Sequence, residues 1–318
     1  MDMSSYGTDS ALAHIIEAAA QRKLVIISEN HMRPQHRIFA KKVIKELAKH
    51  GFHHLGLETF SSITDDNVLL DSELESRGYP LNSPMTGTYT LEPQMGELVR
   101  DAISVGYNLF AYEKMGRDKS GRDRDEIQAG NIIRYLQNNP EAKIVILCGF
   151  HHAIESDWLK RNKYFWMAKY LKDKIDIDPL TIYQDNFTEK INFNQHPILK
   201  ELSITEPSVF VDASKKRVHV TDHVDMEIVH PMTYYRYGRP HWLFQNDAYK
   251  AVKPTIGDEA IYPIIVSAHR VGEISGVAID CIELKYQYDN KHLVLPKGKY
   301  TVKLLDSEKE LSNDIVVE

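Results

Sequence analysis

Cysteine is scarce in this chain of 318 residues, which contains only Cys148 and Cys281. Two cysteines do not make the framework of several disulfides that stabilises small secreted domains. Cys148 lies in the apolar run 144–148, so we expect it to be a small buried side chain in a strand. A single disulfide between the two cysteines stays open as an alternative.

Long apolar runs and an excess of basic charge are also missing. No apolar run approaches the ~20 residues that a transmembrane helix needs. The N-terminus has neither the basic nor the apolar region of a signal peptide. This predicts a cytoplasmic protein as the sequence stands, or a periplasmic or secreted one if a signal peptide was trimmed. A net charge of -6 and a pI near 6.2 argue against nucleic acid as a partner, and the oligomeric state stays unknown.

Strands and helices alternate over the first 190 residues. Continuous apolar runs such as 24–28 are typical of strands that are buried on both faces. Segments with apolar residues at helical spacing separate these runs, which predicts a mainly parallel sheet flanked by helices. The predicted strands are 24–28, 54–58, 107–113, 144–148 and 180–184, and the segments between them include helices at 8–22, 34–50, 65–77, 92–105 and 125–138.

The pattern changes after about residue 190, where helical periodicity fades. Runs of β-branched residues and alternating patterns predict strands at 209–211, 218–220, 262–266, 282–288, 300–304 and 315–317. We therefore predict an α/β protein in three parts. They are a catalytic core over residues 1–190, an extension over 191–254 that completes or covers the core, and a small sandwich-like antiparallel β unit over 255–318.

Polar side chains follow four of the predicted strands. In a parallel sheet the carboxyl ends of the strands lie at one edge, where ligands bind in such folds. Four polar strand ends in succession therefore predict one crevice that holds carboxylates and imidazoles. The residues are Glu29 and His31 after the first strand, Glu58 after the second, Glu113 after the third, and His151 and His152 after the fourth.

The chemistry of these residue types favours an active site. A histidine beside a glutamate is a general base whose tautomer and orientation are held by the carboxylate. We expect Arg122 and Arg124 to clamp a substrate carboxylate or offset the clustered negative charge. His36, Glu113 and His151 are predicted to bind substrate. The alternative for His36 is an exposed residue at a helix start. The same donors also suit zinc or manganese, although their spacing matches no closed zinc site.

The order of these residues resembles the superfamily of erythromycin esterases, ChaN-like proteins and Tiki-type proteins. SENHMRPQHR and HLGLETF are similar to its first two motifs, a strand followed by Gly-Glu-x-His and a strand ending in Glu, with Ser28 in place of the glycine. Arg124 is similar to an arginine that opens a helix, where Gln128 replaces a methionine. Gly149 to His152 is similar to the fourth motif, Gly-x-x-His. The resemblance covers roughly residues 20–185.

The resemblance implies roles for five residues. His31 would be the general base, Glu29 and Glu58 its carboxylate partners, Arg124 an organising cation and His152 a second catalytic imidazole. Within the superfamily, the esterases open macrolactones by water attack, Tiki-type members resemble metal-dependent peptidases, and ChaN-like members are linked to haem. The leading prediction is a hydrolase that attacks an ester, lactone or amide of a small molecule or peptide and requires no cofactor.

Two alternatives remain, a haem- or tetrapyrrole-binding protein and a metal-dependent peptidase, so that haem or a divalent metal is a possible cofactor. The segment 230–242 bears on the first, because it is dense in aromatic and basic residues. Tyr234 and His241 are predicted there as substrate-binding residues, since such side chains stack on sugars, rings and porphyrins. The alternative for this segment is packing between the core and the β unit.

Overall fold

The computed structural model describes residues 5–64, 66–116, 123–157, 165–175, 177–189, 197–245 and 247–318. The chain divides into two compact units. The first contains Met1–Glu75 and Asp101–Met232, and the second contains Ser76–Arg100 and Thr233–Glu318. The predicted boundaries at 190 and 254 differ from this division.

A central sheet organises the first unit. Its strand order is β1-β9-β10-β8-β2-β7-β3-β5, and β10, β8, β2, β7, β3 and β5 run parallel to their neighbours along this order. β9 and β1 add an antiparallel edge, and β4 pairs with β6 separately. The strands are β1 (Gly7–Ser10), β2 (Leu24–Glu29), β3 (Phe52–Leu57), β4 (Ser61–Ser62), β5 (Asn108–Phe110), β6 (Glu113–Lys114), β7 (Lys143–Gly149), β8 (Leu180–Phe187), β9 (Ser208–Val211) and β10 (Met226–Val229).

Helices flank this sheet, as the sequence predicts. The apolar residues of β2 and β7 are buried, and alternate ones such as Leu24, Ile26 and Ile146 pack with α5 and α6 in one core cluster. The described residues contain α1 (Ala11–Ala19), α2 (Pro34–Ala48), α3 (Leu74–Arg77), α4 (Pro93–Ser104), α5 (Arg124–Asn138) and α6 (Met167–Lys174). None of the helices in these ranges is long and apolar enough to span a membrane.

Several predicted elements of the first unit are corrected by the structure. The helix predicted at 8–22 is shorter, because Gly7–Ser10 pairs as a strand with β9 before α1 begins. In the described part of the predicted helix 65–77, only Leu74–Arg77 is helical. Residues 218–220 are not a strand, and the segment after β9 pairs back onto it through a single bridge between Val211 and Arg217. Both cysteines are free, with Cys148 buried, so the alternative disulfide is absent.

Antiparallel sheets form the C-terminal part of the second unit, residues 233–318, which confirms the predicted fold class. Four strands pair in the order β15-β14-β17-β18, β13 pairs with β16, and β11 and β12 form a hairpin. Their apolar faces enclose a core that includes Val266, Leu293 and Tyr300. The strands are β11 (Tyr235–Arg236), β12 (Arg239–Pro240), β13 (Tyr249–Val252), β14 (Ile264–Arg270), β15 (Asp280–Leu284), β16 (Leu293–Pro296), β17 (Gly298–Leu305) and β18 (Glu310–Val317).

Candidate active site

The candidate site lies where β2, β7 and β3 end side by side in the first unit. Glu29 is in register with Gly149, and Leu57 at the end of β3 is in register with Leu147 of β7. The side chains that follow these strand ends therefore meet at one edge of the sheet, as expected for parallel strands.

The first imidazole is held by a buried carboxylate. Nδ1 of His31 lies 2.8 Å from Oε1 of Glu29, whose exposed fraction is only 2%. Arg37 of α2 is equally buried and donates to both oxygens of Glu29, from Nε at 2.8 Å and from Nη2 at 2.9 Å. Arg37 thus fixes the carboxylate, and the carboxylate fixes the histidine ring.

The second imidazole has a matching arrangement. Nδ1 of His152 lies 2.5 Å from Oδ1 of Asp125, which is fully buried in the first turn of α5. The same oxygen accepts a hydrogen bond from the backbone N–H of Met167 at 2.9 Å. The carboxylate is therefore held by the start of α6 and orients the second ring.

Glu58 lies between the two rings. Nε2 of His31 is 3.7 Å from its Oε2, and Nε2 of His152 is 3.6 Å from its Oε1. The backbone N–H of Gly149 also donates to Oε2. Both imidazoles thus turn their outer nitrogens toward one carboxylate.

Arg124 carries the positive charge at the open side of this group. It donates to Oε1 of Glu58 at 2.7 Å and, from Nε at 2.9 Å, to Glu113, and its Nη1 lies 3.4 Å from Nε2 of His152. Gln128 donates to the same Glu113 oxygen at 2.7 Å. Nearly half of the Arg124 side chain is exposed, so its guanidinium is available to a ligand.

These contacts set the charges of the site. Burial raises the pKa of the Glu29 and Glu58 carboxyls, but their imidazole and arginine partners outweigh this effect, and both pKa values lie below the usual value. Burial lowers the pKa of His152, yet the hydrogen bond to Asp125 outweighs it and the net pKa is raised. Both carboxylates are therefore ionised at neutral pH, and His152 holds its proton more strongly than a free histidine.

The remaining predicted residues have different surroundings. His36 is fully buried, accepts a hydrogen bond from the backbone N–H of Asn30 at 3.0 Å and stacks on His230. The exposed alternative is therefore wrong, and the predicted substrate contact stays a prediction. His151 is half-buried against Trp166, with ring centroids 5.1 Å apart. Arg122 lies outside the described residues.

Tyr234 and His241 belong to the second unit, whereas the residues of the candidate site belong to the first. Their rings stack at 3.9 Å, and Tyr234 is 58% exposed. Their role as substrate-binding residues stays a prediction.

Sequence reasoning missed Arg37 and Asp125 as site residues. An arginine in the first turn of a helix has no distinctive pattern, and its burial depends on the packing of α2 against the sheet. Asp125 follows the helix-capping Asp123, and acidic residues are common in a first turn because they interact favourably with the helix dipole. The one feature of the sequence that could have pointed to Asp125 is its position directly after Arg124 at the start of α5.

The donor set does not fit a divalent metal. In the described part of the chain, no group of three or more His, Cys, Asp or Glu side chains is arranged to hold a metal ion. The oxygens of Glu58 already accept hydrogen bonds from Gly149 and Arg124, and the Arg124 guanidinium would repel a cation beside His152.

No family model and no curated protein matches the chain. Among solved structures, the type III effector HopBA1 is similar at 14% identity and a TM-score of 0.40, over 72% of this chain and 97% of that one. ChaN of Campylobacter jejuni, solved with cofacial heme, is similar at 9% identity and a TM-score of 0.38, over 69% of this chain and 92% of that one. RRSP, a MARTX toxin effector domain from Vibrio vulnificus, is similar at 19% identity and a TM-score of 0.34, over 51% of this chain and 33% of that one. These TM-scores are too low to carry an argument about this chain.

Proposed function

We propose that the chain is a hydrolase that directs water onto an ester, lactone or amide carbonyl. The observation that carries the proposal is the pair of histidines, each held at Nδ1 by a buried carboxylate and each turning Nε2 toward Glu58. Such carboxylate–histidine pairs are the means by which proteins prepare an imidazole for proton transfer.

His31 is the base in this proposal. The ionised Glu29 accepts a hydrogen bond from the Nδ1–H of His31, which leaves Nε2 as the lone-pair nitrogen of the neutral ring. Nε2 removes a proton from water as the water oxygen forms its bond to the carbonyl carbon. Arg124 stabilises the negative charge that develops on the carbonyl oxygen.

His152 is the acid. Its raised pKa keeps a proton on the ring, and this proton passes to the leaving oxygen or nitrogen as the carbon–heteroatom bond breaks. The products are a carboxylic acid and an alcohol or amine, and His31 then releases its proton to solvent while His152 takes one up, which restores both rings. Glu58 stabilises the positive charge that each ring carries in turn.

The first test compares His31→Ala with His50→Ala on a panel of aryl esters, lactones and peptide amides. His50 is an exposed histidine after α2 and serves as the matched control. Loss of a general base costs roughly 10²–10⁴-fold in rate, so we expect kcat to fall by that factor in His31→Ala and to stay unchanged in the control. Equal turnover by both variants, or no hydrolysis of the panel by the unaltered protein, would contradict the proposal.

A second readout concerns Asp125 as a positioning residue. Asp125→Asn removes the negative charge that raises the pKa of His152. As the pH is raised, His152 should therefore lose its proton, and the enzyme its activity, at a lower pH than in the unaltered protein. The basic limb of the kcat/KM profile is expected to move to lower pH. An unmoved limb would exclude His152 as the acid.

Elemental analysis and an absorbance scan of the freshly purified protein address the alternatives from the sequence resemblance. A stoichiometric metal or a Soret band would favour the metallopeptidase or the haem protein and count against the proposed mechanism.

A further inference from the structure

A cavity lies within the second unit. It encloses about 600 Å³ beside β13, and Tyr237 of the hairpin β11–β12 and Phe244 are among its lining residues. Aromatic and basic side chains line it together, and its walls contain three cations, Arg236, Lys250 and Lys253, against one carboxylate, Asp247. The candidate active site contributes no residue to this lining.

The turn of the hairpin places an aromatic side chain where the backbone disfavours it. Arg236 pairs with Arg239, which leaves Tyr237 and Gly238 as a two-residue loop. Both have positive φ, 51° and 68°, the pattern of a type I′ turn. Asparagine, aspartate or glycine normally occupies the first of these positions, and a bulky side chain is sterically disfavoured there. Turn formation therefore does not explain Tyr237.

The Tyr237 ring forms part of the cavity wall instead. It lies 5.1 Å from the ring of His292 and 6.3 Å from that of Phe244, both of which also line the cavity. Tyr237 is nevertheless 54% exposed. The hairpin thus holds an open aromatic face at the edge of a concave surface.

The cations are arranged around this face. The Arg236 guanidinium lies over the Phe244 ring, 4.6 Å from its centroid, and donates from Nη1 to Asp247 at 2.8 Å. Its position is therefore fixed on two sides. Lys250 and Lys253 are exposed and three residues apart in an extended segment, a span of up to ~10 Å along the chain.

We propose that this cavity binds an acidic saccharide, a chain of sugar rings that carries carboxylate or sulfate groups. The CH groups of a sugar ring pack against the partly negative face of an aromatic ring such as Tyr237. The separated lysines match acidic groups on successive sugars, whereas the adjacent phosphates of a nucleotide would concentrate its charge at one place.

The test measures binding of a sulfated disaccharide to the full chain by calorimetry, with the neutral disaccharide as comparison. We expect the sulfated ligand to bind, binding to weaken as salt is added, and the neutral ligand to bind more weakly. Tyr237→Asn should reduce the affinity roughly tenfold. Because asparagine suits the turn better than tyrosine, the midpoint of thermal unfolding of Tyr237→Asn should equal or exceed that of the unaltered protein.

Lys250→Ala should also weaken binding, while Lys299→Ala, which removes an exposed lysine of β17, should leave it unchanged. Failure of the sulfated disaccharide to bind would overturn the proposal. So would equal binding of the neutral ligand, unaltered affinity in Tyr237→Asn, or equal losses in the two lysine variants.

Discussion

At the scale of single residues, the candidate site depends on charged side chains that are buried only because they are paired. Arg37 and Glu29 are 1% and 2% exposed and share two hydrogen bonds. Taking such ions out of water is costly, and the cost is offset only while both partners remain. The contrast is Lys49 with Glu46, a pair at 2.6 Å near the end of α2, in which the lysine is 68% exposed.

Arg37→Met should therefore destabilise the fold far more than Lys49→Met. Losing one partner of a buried pair costs about 3–5 kcal/mol, whereas an exposed pair contributes about 0–1 kcal/mol. Urea unfolding at neutral pH measures both variants. Similar small decreases in the free energy of unfolding of the two variants would show that Glu29 does not depend on Arg37 for its charge.

At the scale of elements, the end of β7 sets the distance between the two sides of the site. A Cβ atom on Gly149 would lie 2.6 Å from Nε2 of His31 and 3.0 Å from Oε2 of Glu58. The φ of Gly149 is -76°, an ordinary value, so the glycine is needed for space and not for backbone freedom. Gly130 in α5 differs, because its Cβ would meet no atom within 4 Å.

Gly149→Ala should displace the His31 ring and abolish hydrolysis while the protein stays folded, since part of this ring is exposed and can move. The NMR signals of the His31 imidazole would report the displacement even without a substrate.

Gly130→Ala is the matched control. It should leave activity unchanged and raise the free energy of unfolding by about 0.5–1 kcal/mol, because alanine favours a helix interior. Full activity in Gly149→Ala would contradict the close packing of β7 against His31.

At the scale of the whole molecule, two buried histidines couple stability to pH. His36 and His230 stack with ring centroids 4.8 Å apart, and burial lowers the pKa of both, that of His230 to about 3. The folded protein keeps these rings neutral, whereas the unfolded chain protonates them below about pH 6.5. Protons therefore favour the unfolded state, and the free energy of unfolding falls as the pH drops from this value toward 3.

Between pH 7 and pH 5 each such histidine should remove about 2 kcal/mol from the free energy of unfolding. Glu29 and Glu58 contribute little in this range, because an unfolded glutamate titrates near pH 4.3. Urea unfolding at both pH values measures how far the free energy of unfolding falls between pH 7 and pH 5. This fall should be about 2 kcal/mol smaller in His230→Gln than in the unaltered protein. In the control variant His50→Gln the fall should be the same as in the unaltered protein. An equal loss in all three proteins would mean that His230 is protonated in the fold.

Much of the fold and the grouping of the site residues could be predicted because both follow from local pattern and one topological rule. Apolar runs that alternate with helices indicate parallel strands, and parallel strands end at one edge. Glu29, His31, Glu58 and His152 were therefore expected near one another, and the structure places them so. The roles assigned to them stay predictions.

The sequence alone determined which residue types follow each strand, and with them the chemistry available at that edge of the sheet. Only the tertiary structure decided their partners. The order β2-β7-β3 brings Glu58 between two imidazoles, and helix packing buries Arg37, Asp125 and His36. The physical reason is that strand and helix periodicity depend on neighbours along the chain, whereas burial and ion pairing depend on side chains from distant segments that meet only when the sheet has formed.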